Sequence, residues 1–263
     1  MFELTETPVA VEVQESEYQR LLGYPRHCRL EGRARELADR ARSWYSENGR
    51  PWLYAREVET LELSQEKLHL AGRGFSSKRL RDFFAGAGAD SAMLVAVSAG
   101  IECEERARQL WQEAKPDEYF FLEIFGSAVV EQLVDLASGR ICGWADRRQM
   151  AALPHYSPGY AGWEIADQIT LWNLIRGIGG DDLMVRGQEG HRLPGELEVL
   201  ESGMLRPKKS LLAMMGLTRN LEAVRRQRRF VPCVNCSLPD CQYRRAPYRS
   251  TRPRLEELRE PCP

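Results

Sequence analysis

The run Ala92-Met-Leu-Val-Ala-Val-Ser98 constrains this chain more than any other stretch. It is continuously apolar and of strand length. A strand with one wet face alternates apolar and polar side chains, whereas an unbroken run needs cover on both faces. The run therefore predicts a central strand with a layer packed on each side. A chain of 263 residues, 43% of them hydrophobic, can supply those layers.

The flanking segments supply both element types. Pro8–Val13 alternates weakly and predicts a strand. Glu15–Leu22 predicts a short helix ended by Gly23 and Pro25, and Glu31–Asn48 a longer one closed by Gly49. Residues 51–63 and 66–70 predict short strands, and Leu80–Ala87 a helix. Glu102–Glu113 and Tyr119–Ser138 carry apolar residues at three- and four-residue steps, which predicts two helices. Residues 139–162 read as loop, Trp163–Ile175 as helix, and 196–201 and 211–217 as strands. Gly177 to Gly195 holds six glycines in nineteen residues. A connection of that length inside a compact domain is either functional or disordered. No regular βαβ rhythm is present, so the pattern predicts an α+β fold.

Charge divides the chain. Its 37 basic and 38 acidic residues nearly cancel, which gives no global reason to propose nucleic acid as partner. From Arg219 onward, however, eleven Arg face five acidic residues. The tail is a basic appendage on an acidic body. The N-terminus is acidic and lacks an apolar signal core, and no stretch approaches the roughly 18 apolar residues of a membrane span. These features predict a cytoplasmic protein with no membrane partner.

One stretch carries the chemistry. His155-Tyr-Ser-Pro-Gly-Tyr160 is a turn in which Pro158 fixes φ and Gly159 permits close backbone approach. A helix follows, with an internal Leu171-Trp172. Beyond it comes Leu200-Glu-Ser-Gly-Met-Leu-Arg-Pro-Lys-Lys-Ser210, a Glu-Ser segment stepping through Pro207 into an apolar strand. This ordered set resembles the S-adenosylmethionine-binding activation domain of cobalamin-dependent methionine synthase. Phe125-Gly-Ser-Ala-Val-Val-Glu-Gln-Leu-Val-Asp135 looks like that family's long helix, and Val97-Ser-Ala-Gly-Ile-Glu102 like the strand-to-helix step before it. Leu21-Leu-Gly-Tyr-Pro25 resembles the opening of stand-alone members. The resemblance spans roughly residues 10–220. It implies a twisted antiparallel sheet with flanking helices in a domain of residues 1–225, followed by a Cys-rich tail at 226–263.

The resemblance also implies a site. Glu131 falls where the family has an acidic residue near the ligand's amine or ribose. Ser157, Pro158 and Gly159 would offer backbone groups, Tyr160 would contact the ligand, and Glu201-Ser202 would border it. His155 stands where the best-known members have an Arg that pairs with the methionine carboxylate. A guanidinium is permanently charged and bidentate, whereas a free imidazole is charged only below a pKa of ~6.5. Arg147 or Arg148 would be the nearest compensation in sequence. Lys208 and Lys209 either meet a corrinoid's polar rim or are simply solvated.

The tail holds Cys233-Val-Asn-Cys236-Ser-Leu-Pro-Asp-Cys241, a C-x2-C-x4-C motif. Two thiolates two residues apart can grip one metal from a tight turn. The spacing suits zinc or a [4Fe–4S] cluster, with Cys262 as fourth ligand and Cys28, Cys103, Cys142 or a histidine as substitutes. A cluster could feed an electron to a corrinoid, whereas zinc would only fold the tail.

Three functions follow. The first is an S-adenosylmethionine-binding accessory that docks on a separate corrinoid protein or methionine synthase and supports its reductive methylation. Cobalamin would arrive on that partner, since no Asp-x-His-x-x-Gly motif occurs here. An electron donor protein would complete the system. The second is a non-catalytic zinc-binding scaffold on the same fold. The third is corrinoid binding without S-adenosylmethionine.

Overall fold

The structure is a computed structural model that describes residues 2–24, 28–65, 67–177 and 191–227. Its centre is the apolar run. Strand β6 (Ser91–Ser98) is buried at all eight positions. It pairs antiparallel with β2 (Trp52–Val58) on one side and β10 (Ser210–Thr218) on the other. Outside these lie β1 (Glu3–Glu6), paired with β2, and β7 (Ala151–Ala152), paired with β10. The five strands run in the order β1-β2-β6-β10-β7, every neighbour antiparallel.

Side-chain alternation along the strands builds two cores. Met93, Val95 and Val97 join Leu53, Ala55, Ala213 and Met215 on one face. Four helices cover it: α1 (Glu15–Leu21), α2 (Gly32–Asn48), α4 (Ile101–Gln112) and α5 (Pro116–Asp146). Ala92, Leu94 and Ala96 join Tyr54, Leu212 and Met214 on the other face. The cover there comes from α3 (Lys78–Ala87), α6 (Asp167–Ile175) and a three-stranded sheet of β3 (Leu61–Leu63), β4 (Leu68–Leu70) and β5 (Arg73–Phe75). A two-stranded ribbon, β8 (Glu198–Val199) with β9 (Leu205–Arg206), precedes β10, and α7 (Leu221–Gln227) follows it.

Several sequence expectations are corrected. Residues 8–13 belong to no strand. Val9 and Val13 are buried against the helical face, so their alternation serves packing rather than a ladder. The edge strand is the more polar Glu3–Glu6, with one face solvated. The 51–63 segment is two strands in separate sheets. Helix α5 runs 31 residues, well past Ser138, because Ile141, Trp144 and Ala145 continue its buried stripe. At about 1.5 Å per residue it crosses the whole sheet. The helix expected from Trp163 begins at Asp167, the preceding residues forming turns. Pro25, residues 178–190 of the glycine-rich connection and the tail from 228 onward lie outside the described residues. So do Cys233, Cys236, Cys241 and Cys262.

Candidate functional site

The His155–Tyr160 segment lies along the edge of β10 that β7 leaves uncovered. Leu153 N–H donates to Gly216 O at 2.8 Å, and Tyr156 exchanges two 2.9 Å bonds with Met214. The chain then reverses. Tyr160 N–H donates to Ser157 O (3.1 Å), Trp163 N–H to Tyr160 O (2.9 Å) and Gly159 N–H to Trp163 O (2.9 Å). Gly159 has φ +88°, and a Cβ there would sit 3.1 Å from Ile165 Cδ1. Both the backbone conformation and the space select glycine.

One side chain of the segment itself and two from α3 and its cap hold this turn. Tyr156 hydroxyl donates to Ala161 O at 2.5 Å. Ser77, which also caps α3 by accepting from Leu80 N–H, donates to Gly162 O at 2.6 Å. Arg79, the second residue of α3, donates from Nη1 to Ala161 O at 3.4 Å. Burial keeps the Tyr156 hydroxyl protonated by raising its pKa, against the opposing charge of Arg79. The Trp163 ring stacks on Tyr156 with centroids 6.0 Å apart and meets Phe75 edge-on. A turn braced in this way presents its backbone at little further ordering cost.

Within it, His155 Nε2 lies 3.3 Å from the Tyr160 hydroxyl, and the two rings meet edge-on. Tyr160 also packs edge-on against Tyr156. Pro158 is buried. Ser157 is 3% exposed, and its Oγ has no hydrogen-bond partner among the described residues. The same holds for Oε1 of the buried Gln168 in the first turn of α6. An unmet buried oxygen costs about 1–3 kcal/mol. The unmet Ser157 oxygen lies within the turn and suits a hydrogen-bonding ligand.

Glu201 and Ser202 occupy the turn of the β8–β9 ribbon, both exposed. Ser202 Oγ accepts from Met204 N–H at 3.4 Å. Gly203 of this turn lies so close to Ile165 that a Cβ would be 2.7 Å from its carbonyl oxygen. Two motifs more than forty residues apart thus converge on Ile165. Glu131 is half-buried on α5, the helix that covers the other face of the sheet. Arg148 lies over the Trp144 ring at 4.5 Å, and Arg147 is the exposed C-cap of α5. The guanidinium that reaches the turn is Arg79, a residue sequence reasoning missed because it precedes the apolar stretch that marks α3. Its signal was the Ser-Ser-Lys-Arg start, a Ser N-cap followed by two basic residues.

Lys208 and Lys209 are not simply solvated. Their ammonium groups lie 2.8 and 3.1 Å from the two carboxylate oxygens of Glu123 on α5. Cys28 is buried. Among the described residues no cluster of three or more His, Cys, Asp or Glu could hold a metal ion, and no helix is long and apolar enough to cross a membrane.

The molecule is thus a mixed α/β protein with a five-stranded antiparallel sheet, helices on both faces and a braced turn along the edge of its penultimate strand. Neither a family model nor a curated protein matches the sequence. Among solved structures, the MetH reactivation domain bound to AdoHcy is similar, with a TM-score of 0.51 at 14% identity over 72% of this chain. The match spans 66% of that chain's length. At this identity the likeness shows the fold alone.

Proposed function

We propose that this protein binds S-adenosylmethionine at the His155–Tyr160 turn and serves as an accessory in corrinoid methyl transfer. On this reading it docks on a separate corrinoid protein or cobalamin-dependent methionine synthase and supports its reductive methylation. Cobalamin comes with the partner, and the electron comes from a donor protein. The fold shared with a reactivation domain that binds AdoHcy carries the proposal. The braced turn, with the unmet oxygen of Ser157, supports it locally. Backbone groups of Ser157–Gly159 would meet the ligand's polar edges and Tyr160 would cover it. His155 would face the methionine carboxylate, with the Arg79 guanidinium as the permanent positive charge of the turn. Glu131 and the Glu201-Ser202 turn are proposed to border the ligand. The Cys233, Cys236, Cys241 and Cys262 set is proposed to bind zinc or an iron–sulfur cluster, separately from the ligand.

Calorimetric titration of the intact protein with S-adenosylmethionine tests this reading. Saturable binding is expected, lost or weakened at least about tenfold in Tyr160→Ala. Such a loss is in the range of one buried aromatic contact with its hydrogen bond. Absence of binding, both alone and with a corrinoid protein added, would favour the scaffold function instead.

A further inference from the structure

A cleft of about 740 Å³ opens where the glycine-rich connection returns to the fold. That volume is ordinary for a small-molecule site. One wall is the C-terminal end of α6, and another is the returning segment from His191 to Glu198. The segment is fixed in place. His191 N–H donates to Arg176 O at 2.7 Å, and His191 Nδ1 lies 3.1 Å from Glu3 Oε1, which also accepts from the Tyr54 hydroxyl. Gly195 packs so closely on the Trp52 indole that a Cβ would be 2.2 Å from its Nε1.

The lining has two characters. Trp172, Leu193 and Leu197 supply apolar surface, while Arg176, Arg192 and Arg206 supply cations. The carbonyls at the end of α6 would ordinarily bring negative charge to this spot. Here the Arg56 guanidinium takes them, donating to Leu174 O and to Ile175 O (3.2 Å). Two acidic residues also line the cleft. Glu198 faces Arg206 at 3.6 Å, an exposed pair, and Glu196 offsets one further charge. Neither Arg176 nor Arg192 makes an ion pair among the described residues; Arg176 lies over the Trp172 ring at 5.9 Å. The cleft therefore keeps a net positive charge beside an aromatic and aliphatic wall.

We propose that this cleft binds an organic anion with a flat, apolar body. Arg176 and Arg192 hold its phosphate or carboxylate, and Trp172, Leu193 and Leu197 cover the body. Charge-assisted bonds from guanidinium supply the selectivity for an anion, and the indole supplies the preference for a flat ring. No residue of the His155–Tyr160 turn lines this cleft, and the proposal does not rest on a ligand there.

The test is calorimetry on the full chain with adenosine 5′-monophosphate and 1-naphthoate as anionic probes and adenosine as the neutral control. At least one anion is expected to bind saturably, and more tightly than adenosine. Stronger binding of the nucleotide points to phosphate, and of naphthoate to carboxylate. Arg176→Ala/Arg192→Ala should weaken the anion at least about tenfold and leave adenosine and S-adenosylmethionine titrations unchanged. Both side chains are exposed, and a thermal melt checks that the variant folds; Arg192→Ala alone serves if it does not. Failure of both anions to bind the intact protein, or equal binding to the folded variant, would overturn the proposal. Because S-adenosylmethionine is titrated alongside, failure here is distinguishable from failure at the turn.

Discussion

Glu123 is 9% exposed and holds two lysines at once. Lys209, with its side chain 15% exposed, also donates to Ser127 Oγ at 2.9 Å. Lys208 is more open; burial works against its charge, but Glu123, Tyr119 and Glu104 outweigh this and raise its pKa. The cluster pins the step from β9 into β10 against α5, which fixes the ribbon that bears Glu201 and Ser202. A buried ion pair is worth little against an apolar replacement, but breaking one side is costly. Glu123→Leu is expected to destabilise by about 3 kcal/mol in urea melts, and Glu123→Leu/Lys209→Met to recover most of that loss. Equal loss in both variants would contradict the paired-charge account. The sequence did not disclose this cluster. Lys208-Lys209 reads as a solvated run, and Glu123 is one carboxylate on a long helix until folding brings them together across more than eighty residues.

Between elements, the helical face is fastened by buried hydroxyls. Tyr18 on α1 donates to Phe121 O of α5 at 2.8 Å, and Tyr45 on α2 donates to Ala99 O beyond β6 at 2.6 Å. Burial raises the pKa of both phenols well above the usual range. Burial, reinforced by Glu123, also pushes the Cys103 thiol from 9.0 up to about 12. In each case the folded state retains a proton that the unfolded chain has released. Stability is therefore full below the unfolded pKa values and falls as pH rises past about 9 toward 12. The unfolding free energy from urea melts should drop between about pH 8 and about pH 10.5, by an amount on the order of 3 kcal/mol. A free energy that holds or rises would contradict the arrangement.

Element identity was legible where periodicity was strong. The 92–98 run lies in β6, and the stripes of α2, α4 and α5 lie where their spacing placed them. It failed where a short apolar pattern had two physical outlets. Pro8–Val13 buries alternate valines without a partner strand, and residues 139–146 extend a helix whose stripe pauses at Ser138-Gly139-Arg140.

At the scale of the molecule, two cores on one sheet leave an edge of β10 where the turn is braced, and a ribbon ahead of β10 that reaches the same Ile165. The turn and the ribbon were legible as motifs in order along the chain. Their meeting was not, because it depends on the close approaches of Gly159 and Gly203, nor was Arg79, which arrives from α3. The measurement that bears most directly on the central claim is a crystal structure grown with saturating S-adenosylhomocysteine. The account predicts ligand density against the backbone of Ser157–Gly159, within hydrogen-bond distance of the Tyr160 hydroxyl. Density elsewhere with this turn empty, or no density at saturation, would contradict it.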